Sequence, residues 1–309
     1  MEVKVFPDIP IDGSTKKADV YCPAVSSSPA PMLMYIHGGG HFTGSRRNGK
    51  HVCTELAKQG YVCVAPSYAL SSLSNDQLQS IVTLVGIVLL ALTVTSTTQA
   101  QLLFMLVLSL IILSVLVSLW ALVPRDELLH PAHIRDIAKA YKWMHDHAAE
   151  YGGRSDWMAV MGHSAGGHLA SLLSTNETYL KEVNLSLEDV KACVGISGVY
   201  SDKRLRQLFL GQQLLLNAFG DRPSYEDSFP IYNITDRTPP ILLVNATSDI
   251  SLKQHSFDFH YSLRDKQRYS EIVYFDASHF SIIREWSDGE SHAHVKNKIV
   301  SFLREIEAG

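Results

Sequence analysis

The stretch W-M-A-V-M-G-H-S-A-G-G-H-L-A-S-L-L, residues 157–173, decides the fold of this chain. Its first five residues form an apolar run typical of a buried strand, and the residues after Gly166 have the composition of a helix. Between them lies G-H-S-A-G, residues 162–166, whose small residues allow a strand and a helix to pass close together. Such a turn strains the serine backbone and lifts its side chain into a pocket. The stretch therefore predicts a nucleophilic serine at Ser164.

A glycine cluster, H-G-G-G at residues 37–40, follows the apolar run 32–36. Attack of a serine on a carbonyl produces an oxyanion, which needs backbone N–H donors, and glycine lets the main chain approach closely. A helix N-terminus supplies a further donor. The predicted oxyanion donors are Gly38, Gly39, Gly40 and Ala165. A phosphate-binding loop is the alternative, but neither G-K-S/T nor G-x-G-x-x-G before a helix is present.

A serine hydroxyl becomes a good nucleophile when a base takes its proton, and that base needs a carboxylate to orient it. Downstream of Ser164, the strand-like run I-L-L-V leads to Asp249, and the run E-I-V-Y-F leads to His279. Both side chains follow the ends of predicted strands. We therefore predict His279 as the base and Asp249 as its acid, with Asp276 and Asp258 as the competing acids.

The chain has 14 histidines, and three others lie close to the predicted motifs. His37, His163 and His168 are expected to shape the pocket. His292 and His294 are two residues apart on a predicted helix and would face different sides, so no metal site is predicted there. The proposed chemistry needs neither a metal nor a cofactor.

Apolar runs alternate with helical patterns along the chain. The predicted strands cover residues 32–36, 61–66, 157–161, 192–196, 241–244 and 271–275. The predicted helices cover residues 133–149, 165–174 and 292–306. Continuous apolar strands separated by helices predict an α/β fold with a mostly parallel sheet covered by helices on both faces. The functional site is then expected at the carboxyl ends of the strands.

Composition excludes two classes of protein. The 309 residues are 46% hydrophobic and 19% charged, and the net charge is −4, which fits neither a disordered chain nor a protein that binds nucleic acid. The four cysteines lack C-x-x-C spacing, so they are expected to be buried thiols.

Residues 77–124 contain no Lys, Arg, Asp or Glu. They hold two apolar runs, 81–94 and 102–123, and the second would form a helix of about 33 Å, long enough to cross the hydrocarbon core of a membrane. We interpret 77–124 as an inserted apolar helical hairpin of two transmembrane helices, which interrupts a domain formed by 1–76 and 125–309.

The positive-inside rule places the catalytic domain of such an anchored protein in the cytosol, for example at the endoplasmic reticulum, because Arg125 and Arg135 follow the second run. Membrane attachment through residues 81–123 is thus the main hypothesis. The alternatives are a buried hydrophobic lid and a stretch absent from the mature protein, and either would make the protein cytoplasmic.

The motifs H-G-G-G and G-x-S-A-G-G resemble those of the α/β-hydrolase superfamily. H-P-A-H-I-R-D, Y-G-G, M-G-H-S-A-G-G-H-L-A and S-H-F-S-I-I are similar to the group that contains kynurenine formamidases, prenylcysteine methylesterases and small carboxylesterases. This resemblance covers the chain outside the insert. It implies the α/β-hydrolase fold and a cofactor-free serine hydrolase acting through Ser164, Asp249 and His279.

Hydrolysis of carboxylic esters through an acyl-enzyme intermediate is the main functional hypothesis, with a small-molecule ester or amide as substrate. Hydrolysis of an N-formyl amide of the N-formylkynurenine type, an arylformamidase activity, is the alternative. A prenylcysteine methylesterase would favour the membrane and a lipid-like substrate. A non-catalytic, membrane-tethered binding protein is a hypothesis of another class, although every catalytic position is filled.

Overall fold

A computed structural model provides the coordinates of the chain. The residues that it describes are 2–25, 28–71, 107–108, 128–208, 211–249 and 252–309. The chain divides into two compact units, one of residues 1–70 with 129–309 and one of residues 71–128. The predicted hairpin at 77–124, with its membrane attachment through 81–123, lies outside the described residues apart from 107–108. None of the helices in these described ranges combines the length and the apolar character needed to cross a membrane.

Eight strands form one sheet in the larger unit. They are β1 (Val3–Pro10), β2 (Lys17–Pro23), β3 (Ala30–Ile36), β4 (Val62–Pro66), β5 (Gly153–His163), β6 (Ala192–Ile196), β7 (Ile241–Ser248) and β8 (Ser270–Ser278). Their order is β1-β2-β4-β3-β5-β6-β7-β8, and the pairs from β4 to β8 are parallel, whereas β1–β2 and β2–β4 are antiparallel. The predicted mostly parallel sheet is confirmed.

Helices pack against this sheet. The described α-helices are α1 (Lys50–Ala57), α2 (Ala132–Asp146), α3 (Ala165–Thr175), α4 (Thr178–Lys181), α5 (Asp202–Leu205), α6 (Gly211–Phe219), α7 (Lys253–Asp265) and α8 (Ala293–Ala308). Short 3₁₀ helices cover Arg46–Gly49, Ala148–Tyr151, Leu187–Asp189, Glu226–Ser228, Pro230–Tyr232 and Ser281–Ile283.

Two apolar cores lie on opposite faces of the sheet. Successive residues of β3 point to opposite faces: Met32 and Met34 pack in the core that contains α2 and α3 residues, and Leu33 and Tyr35 pack in the core that contains α1 and α8 residues. Both faces of the central strands are therefore buried, which explains why these strands read as continuous apolar runs. All four cysteines are buried thiols, as predicted.

Some elements differ from the sequence prediction. β1 and β2 were not predicted, because most of β1 is exposed and its sequence, V-K-V-F-P-D-I-P, mixes charged and proline residues into an edge strand. The predicted helix 133–149 ends earlier, at Asp146, and a 3₁₀ turn follows it up to Gly152, whose φ of +73° ends the helical path. Helices α1, α4, α5, α6 and α7 were also missed.

Candidate active site

Ser164 lies at the turn between β5 and α3. Its φ of +56° and ψ of −119° place it in a region that non-glycine residues rarely adopt, and its N–H donates to the carbonyl of Ile196 at 2.8 Å. Gly166, two residues later, packs directly on the carbonyl of Ile36, where a larger residue would collide. The turn is therefore held by β6 on one side and by the end of β3 on the other, which keeps the strained serine in place.

His279 and Asp249 lie in contact just beyond the ends of β8 and β7. His279 Nδ1 lies 2.7 Å from Asp249 Oδ1, and both side chains are almost fully buried. An ionised carboxylate only accepts hydrogen bonds, so Nδ1–H is the donor, and in the neutral ring Nε2 carries the free lone pair. This is the tautomer that a general base for a serine requires.

The two competing carboxylates have other partners. Asp258 pairs with Arg204, with 2.6 Å between Oδ2 and Nε, and it also accepts from Gln254. Asp276 is exposed and lies 3.3 Å from Thr247 Oγ1. The structure thus places Asp249 at the imidazole and the two alternatives elsewhere.

Ser164 and His279 line one cavity of about 280 Å³. The lining residues are Gly40, His41, Ser164, Ala165, His168, Val199, Leu205, Leu208, Leu214, Phe219, Leu252 and His279. Six of the twelve are large apolar side chains, five of them Val or Leu and one Phe, and none of the twelve carries a permanent charge. Of the predicted oxyanion donors, Gly40 and Ala165 line the cavity. The wall suits an apolar, uncharged group bound next to Ser164.

The glycine loop packs against the serine. A Cβ placed on Gly38 would lie 2.8 Å from the carbonyl oxygen of His163 and 3.0 Å from Cβ of Ser164. The next residue, Gly39, has a φ of +122°, which favours glycine. Tyr68 donates its hydroxyl to the carbonyl of His37 at 3.0 Å, and the two rings stack with centroids 4.4 Å apart. The loop is therefore fixed on both sides.

Replacement of Gly38 by alanine is expected to lower kcat by about 100-fold, because the new methyl group must push the loop away from Ser164 and move its N–H donors off the developing oxyanion. Steady-state kinetics measure this loss. Gly60→Ala is the control for backbone strain alone: its φ of +100° disfavours alanine, but a Cβ there would meet no other atom within 4 Å, and Gly60 does not line the cavity. Unchanged kcat in folded Gly38→Ala protein would contradict the role of the loop.

The histidines around the site are buried and neutral. Burial lowers the pKa of His37 and His168 to about 4 and, together with the nearby His279, lowers that of His163 to about 3. Burial also lowers the pKa of His41 well below its usual value. His168 lines the cavity, as predicted, whereas His37 and His163 do not.

Acid is expected to destabilise the protein between about pH 6.5 and pH 4. In that range a histidine of the unfolded chain is protonated, whereas the buried ones stay neutral, so the unfolded state binds more protons and stability falls as the pH falls. Each such histidine contributes about 1.4 kcal/mol per pH unit. Urea unfolding at about pH 7.5 and about pH 5 measures the free energy. Equal values at both would contradict this reading.

Sequence reasoning missed the cavity wall. Leu205, Leu208, Leu214 and Phe219 come from the segment between β6 and β7, on or next to α5 and α6, and Val199 and Leu252 come from loops. The leucine-rich composition of residues 205–219 was the available signal. His41, which follows the glycine cluster, was also missed.

The order of the sheet and the strained serine at a strand-to-helix turn are those of the α/β-hydrolase fold. A family model described as BD-FAE matches residues 18–80 and 124–263, about two thirds of the chain. The chain belongs to the BD-FAE family. The resemblance to α/β-hydrolases of the carboxylesterase type is thus confirmed, and the residues between the two matched stretches, 81–123, coincide with the apolar runs.

Two relatives from Mycobacterium tuberculosis (strain ATCC 25618 / H37Rv) match most of the chain. The probable carboxylic ester hydrolase LipM is 26% identical over 90% of this chain and 55% of its own length. Esterase LipC is 24% identical over 91% of this chain and 59% of its own length. The chain thus spans little more than half the length of these relatives.

A solved structure has the same fold. Esterase B from Lactobacillus rhamnosis is superimposed with a TM-score of 0.72 over 99% of this chain and 88% of its own, at 16% sequence identity. At that identity the likeness concerns the fold alone, so the chemistry rests on the residues of this chain.

Proposed function

We propose that the protein is a serine hydrolase that cleaves carboxylic esters through an acyl-enzyme intermediate. One observation carries the proposal: Ser164 and His279 line the same cavity, and Nδ1 of His279 is hydrogen-bonded to Oδ1 of Asp249 at 2.7 Å. The relatives LipM and LipC, both named for ester hydrolysis, support it.

In the first half of the reaction, Ser164 Oγ attacks the ester carbonyl carbon while Nε2 of His279 takes the hydroxyl proton. The carbonyl π electrons move to oxygen, and N–H groups of Ala165 and of Gly38 to Gly40 stabilise that oxyanion. Asp249 stabilises the imidazolium that forms. When the tetrahedral intermediate collapses, the bond to the alcohol oxygen breaks, and His279 gives its proton to the leaving alcohol.

In the second half, water replaces the alcohol as the nucleophile. His279 takes a proton from water as the oxygen attacks the acyl carbon, and the same N–H donors hold the new oxyanion. Collapse breaks the bond to Ser164 Oγ, which receives the proton from His279. The products are a carboxylic acid and the free enzyme.

The cavity favours an ester over a formamide. We infer that it holds the acyl group, because its wall carries six apolar side chains and no permanent charge. A formyl group would leave most of this cavity of about 280 Å³ unfilled. Each further buried methylene of an acyl chain contributes about 0.8 kcal/mol, so the site gains most from an uncharged acyl chain of several carbons.

Hydrolysis of three substrates tests the proposal: p-nitrophenyl butyrate, p-nitrophenyl acetate and N-formylkynurenine. The two esters share a leaving group, and the two extra methylenes of butyrate should raise kcat/KM by about 15-fold. We expect the formamide to be the poorest substrate. Preference for N-formylkynurenine would favour the arylformamidase alternative, and hydrolysis of none of the three would contradict the proposed function.

A further inference from the structure

His163 joins two parts of the candidate site that lie far apart in the sequence. It is the last residue of β5, directly before Ser164, and it is 4% exposed. Its Nε2 lies 2.8 Å from the backbone carbonyl oxygen of His279, 116 residues further along the chain. Because a carbonyl only accepts hydrogen bonds, Nε2–H is the donor, and this fixes the tautomer of the ring.

The other ring nitrogen of His163 faces the glycine loop. A Cβ on Gly38 would lie 3.1 Å from His163 Nδ1, so the loop and the ring are in contact. The side chain therefore lies between the segment that carries the base and the loop that carries oxyanion donors. It is not among the residues that line the cavity.

We propose that His163 is a positioning residue that sets the distance between His279 and Ser164 by holding the backbone of His279 to the end of β5. The proposal rests on the proposed function of Ser164 and His279. It explains why a histidine directly precedes the serine in G-H-S-A-G.

The segment that His163 holds needs such a bond. His279 follows the last residue of the edge strand β8, and Phe280, directly after it, is 60% exposed. Asp249 fixes the imidazole through Nδ1, and the bonds between Ser278 and Ser281 hold the turn around it, but none of these bonds is made to the His279 carbonyl. A second bond at the His279 carbonyl fixes the other end of the same residue. A displacement of about 1 Å in such a group costs about 100-fold in rate.

The charge state of His163 suits this role. Its ring centroid lies 4.7 Å from that of His279, so a positive charge on it would oppose the imidazolium that forms in the reaction. Burial and the neighbouring His279 lower the pKa of His163 to about 3, so the ring stays neutral. A neutral donor can hold the carbonyl without opposing the proton transfer.

Two variants of nearly equal side-chain length isolate the hydrogen bond. His163→Gln keeps an N–H donor at about the position of Nε2, and His163→Met removes it. On p-nitrophenyl butyrate, we expect His163→Met to lower kcat by about 10- to 100-fold with KM within about 2-fold of the wild-type value, and His163→Gln to recover most of kcat. Circular dichroism identifies a temperature at which both variants are folded, and the kinetics are measured at that temperature.

Tyr141→Phe is the control for lost stability. The single proton of the buried Tyr141 hydroxyl is shared between the backbone carbonyls of Asp189 at 3.1 Å and Met158, on β5, at 3.2 Å, so this variant also loses a side-chain bond to backbone. It should lower the melting temperature and leave kcat unchanged. If His163→Met does not fold, His163→Phe, which keeps a ring without a donor, takes its place.

Two results overturn the positioning role while wild-type protein still hydrolyses the ester: a donor-free variant with the kcat of wild type, or a His163→Gln variant as impaired as the donor-free one. Absence of hydrolysis by the wild-type protein overturns the proposed function instead, so the two failures are distinguishable.

Discussion

Ser164→Ala is expected to lower kcat for p-nitrophenyl butyrate by about 10⁵-fold or more. The substitution removes the oxygen that we propose as the nucleophile. Without it, His279 and Asp249 would have no hydroxyl to activate, and only binding and the oxyanion donors would remain to accelerate attack by water. Alanine keeps the Cβ, so the cavity keeps its shape. Initial rates at a high enzyme concentration, with the substrate still in excess, measure the residual kcat.

A matched serine tests whether the loss is specific. Ser171 lies on α3, buried, with its Oγ near the sulfur of Cys193, and it is not among the residues that line the cavity. Ser171→Ala should keep kcat within about 3-fold of wild type. A folded Ser164→Ala protein with more than about a hundredth of the wild-type rate would show that another group acts as the nucleophile.

Asp249→Asn is expected to lower kcat by about 10⁴-fold. The amide keeps the size of the side chain, but its NH₂ group can donate to Nδ1 of His279 and so favour the tautomer with the proton on Nε2. That tautomer cannot take the proton of Ser164, and the imidazolium also loses its stabilising charge. Steady-state kinetics on p-nitrophenyl butyrate measure the effect, and circular dichroism checks the fold.

The two competing carboxylates supply the controls for Asp249. Asp276→Asn affects an exposed side chain near Thr247, and Asp258→Asn breaks an ion pair with Arg204. Both variants should keep kcat within about 3-fold of wild type. A loss in Asp276→Asn as large as that expected for Asp249→Asn would transfer the role of the acid to Asp276.

The sequence predicted those parts of the molecule that local pattern determines. The buried central strands were predicted because both of their faces are covered, so β6 was predicted with the bounds Ala192–Ile196 that it has. The strained turn at Ser164 was predicted because few residue types fit such a turn. Asp249 and His279 could be selected because both directly follow strands of a parallel sheet, whose carboxyl ends share an edge.

The remaining features depend on contacts between distant segments. The sequence shows that His163 directly precedes Ser164, but it does not show the proposed positioning role, which depends on a carbonyl 116 residues away. Leu205, Leu208 and Phe219 of the cavity wall belong to a segment without the alternation of apolar and polar residues that marks a strand. Its helices have only 4 and 9 residues, too few for a clear helical pattern. The edge strand β1 was missed because it is mostly exposed and lacks an apolar run.

The reactivity of Ser164 is the central claim, and mass spectrometry after treatment with a fluorophosphonate tests it most directly. We expect one adduct per chain, on the tryptic peptide 155–181, with fragment ions that assign it to Ser164, and no adduct in Ser164→Ala protein. A folded wild-type protein that remains unlabelled, or that is labelled at another residue, would contradict the account.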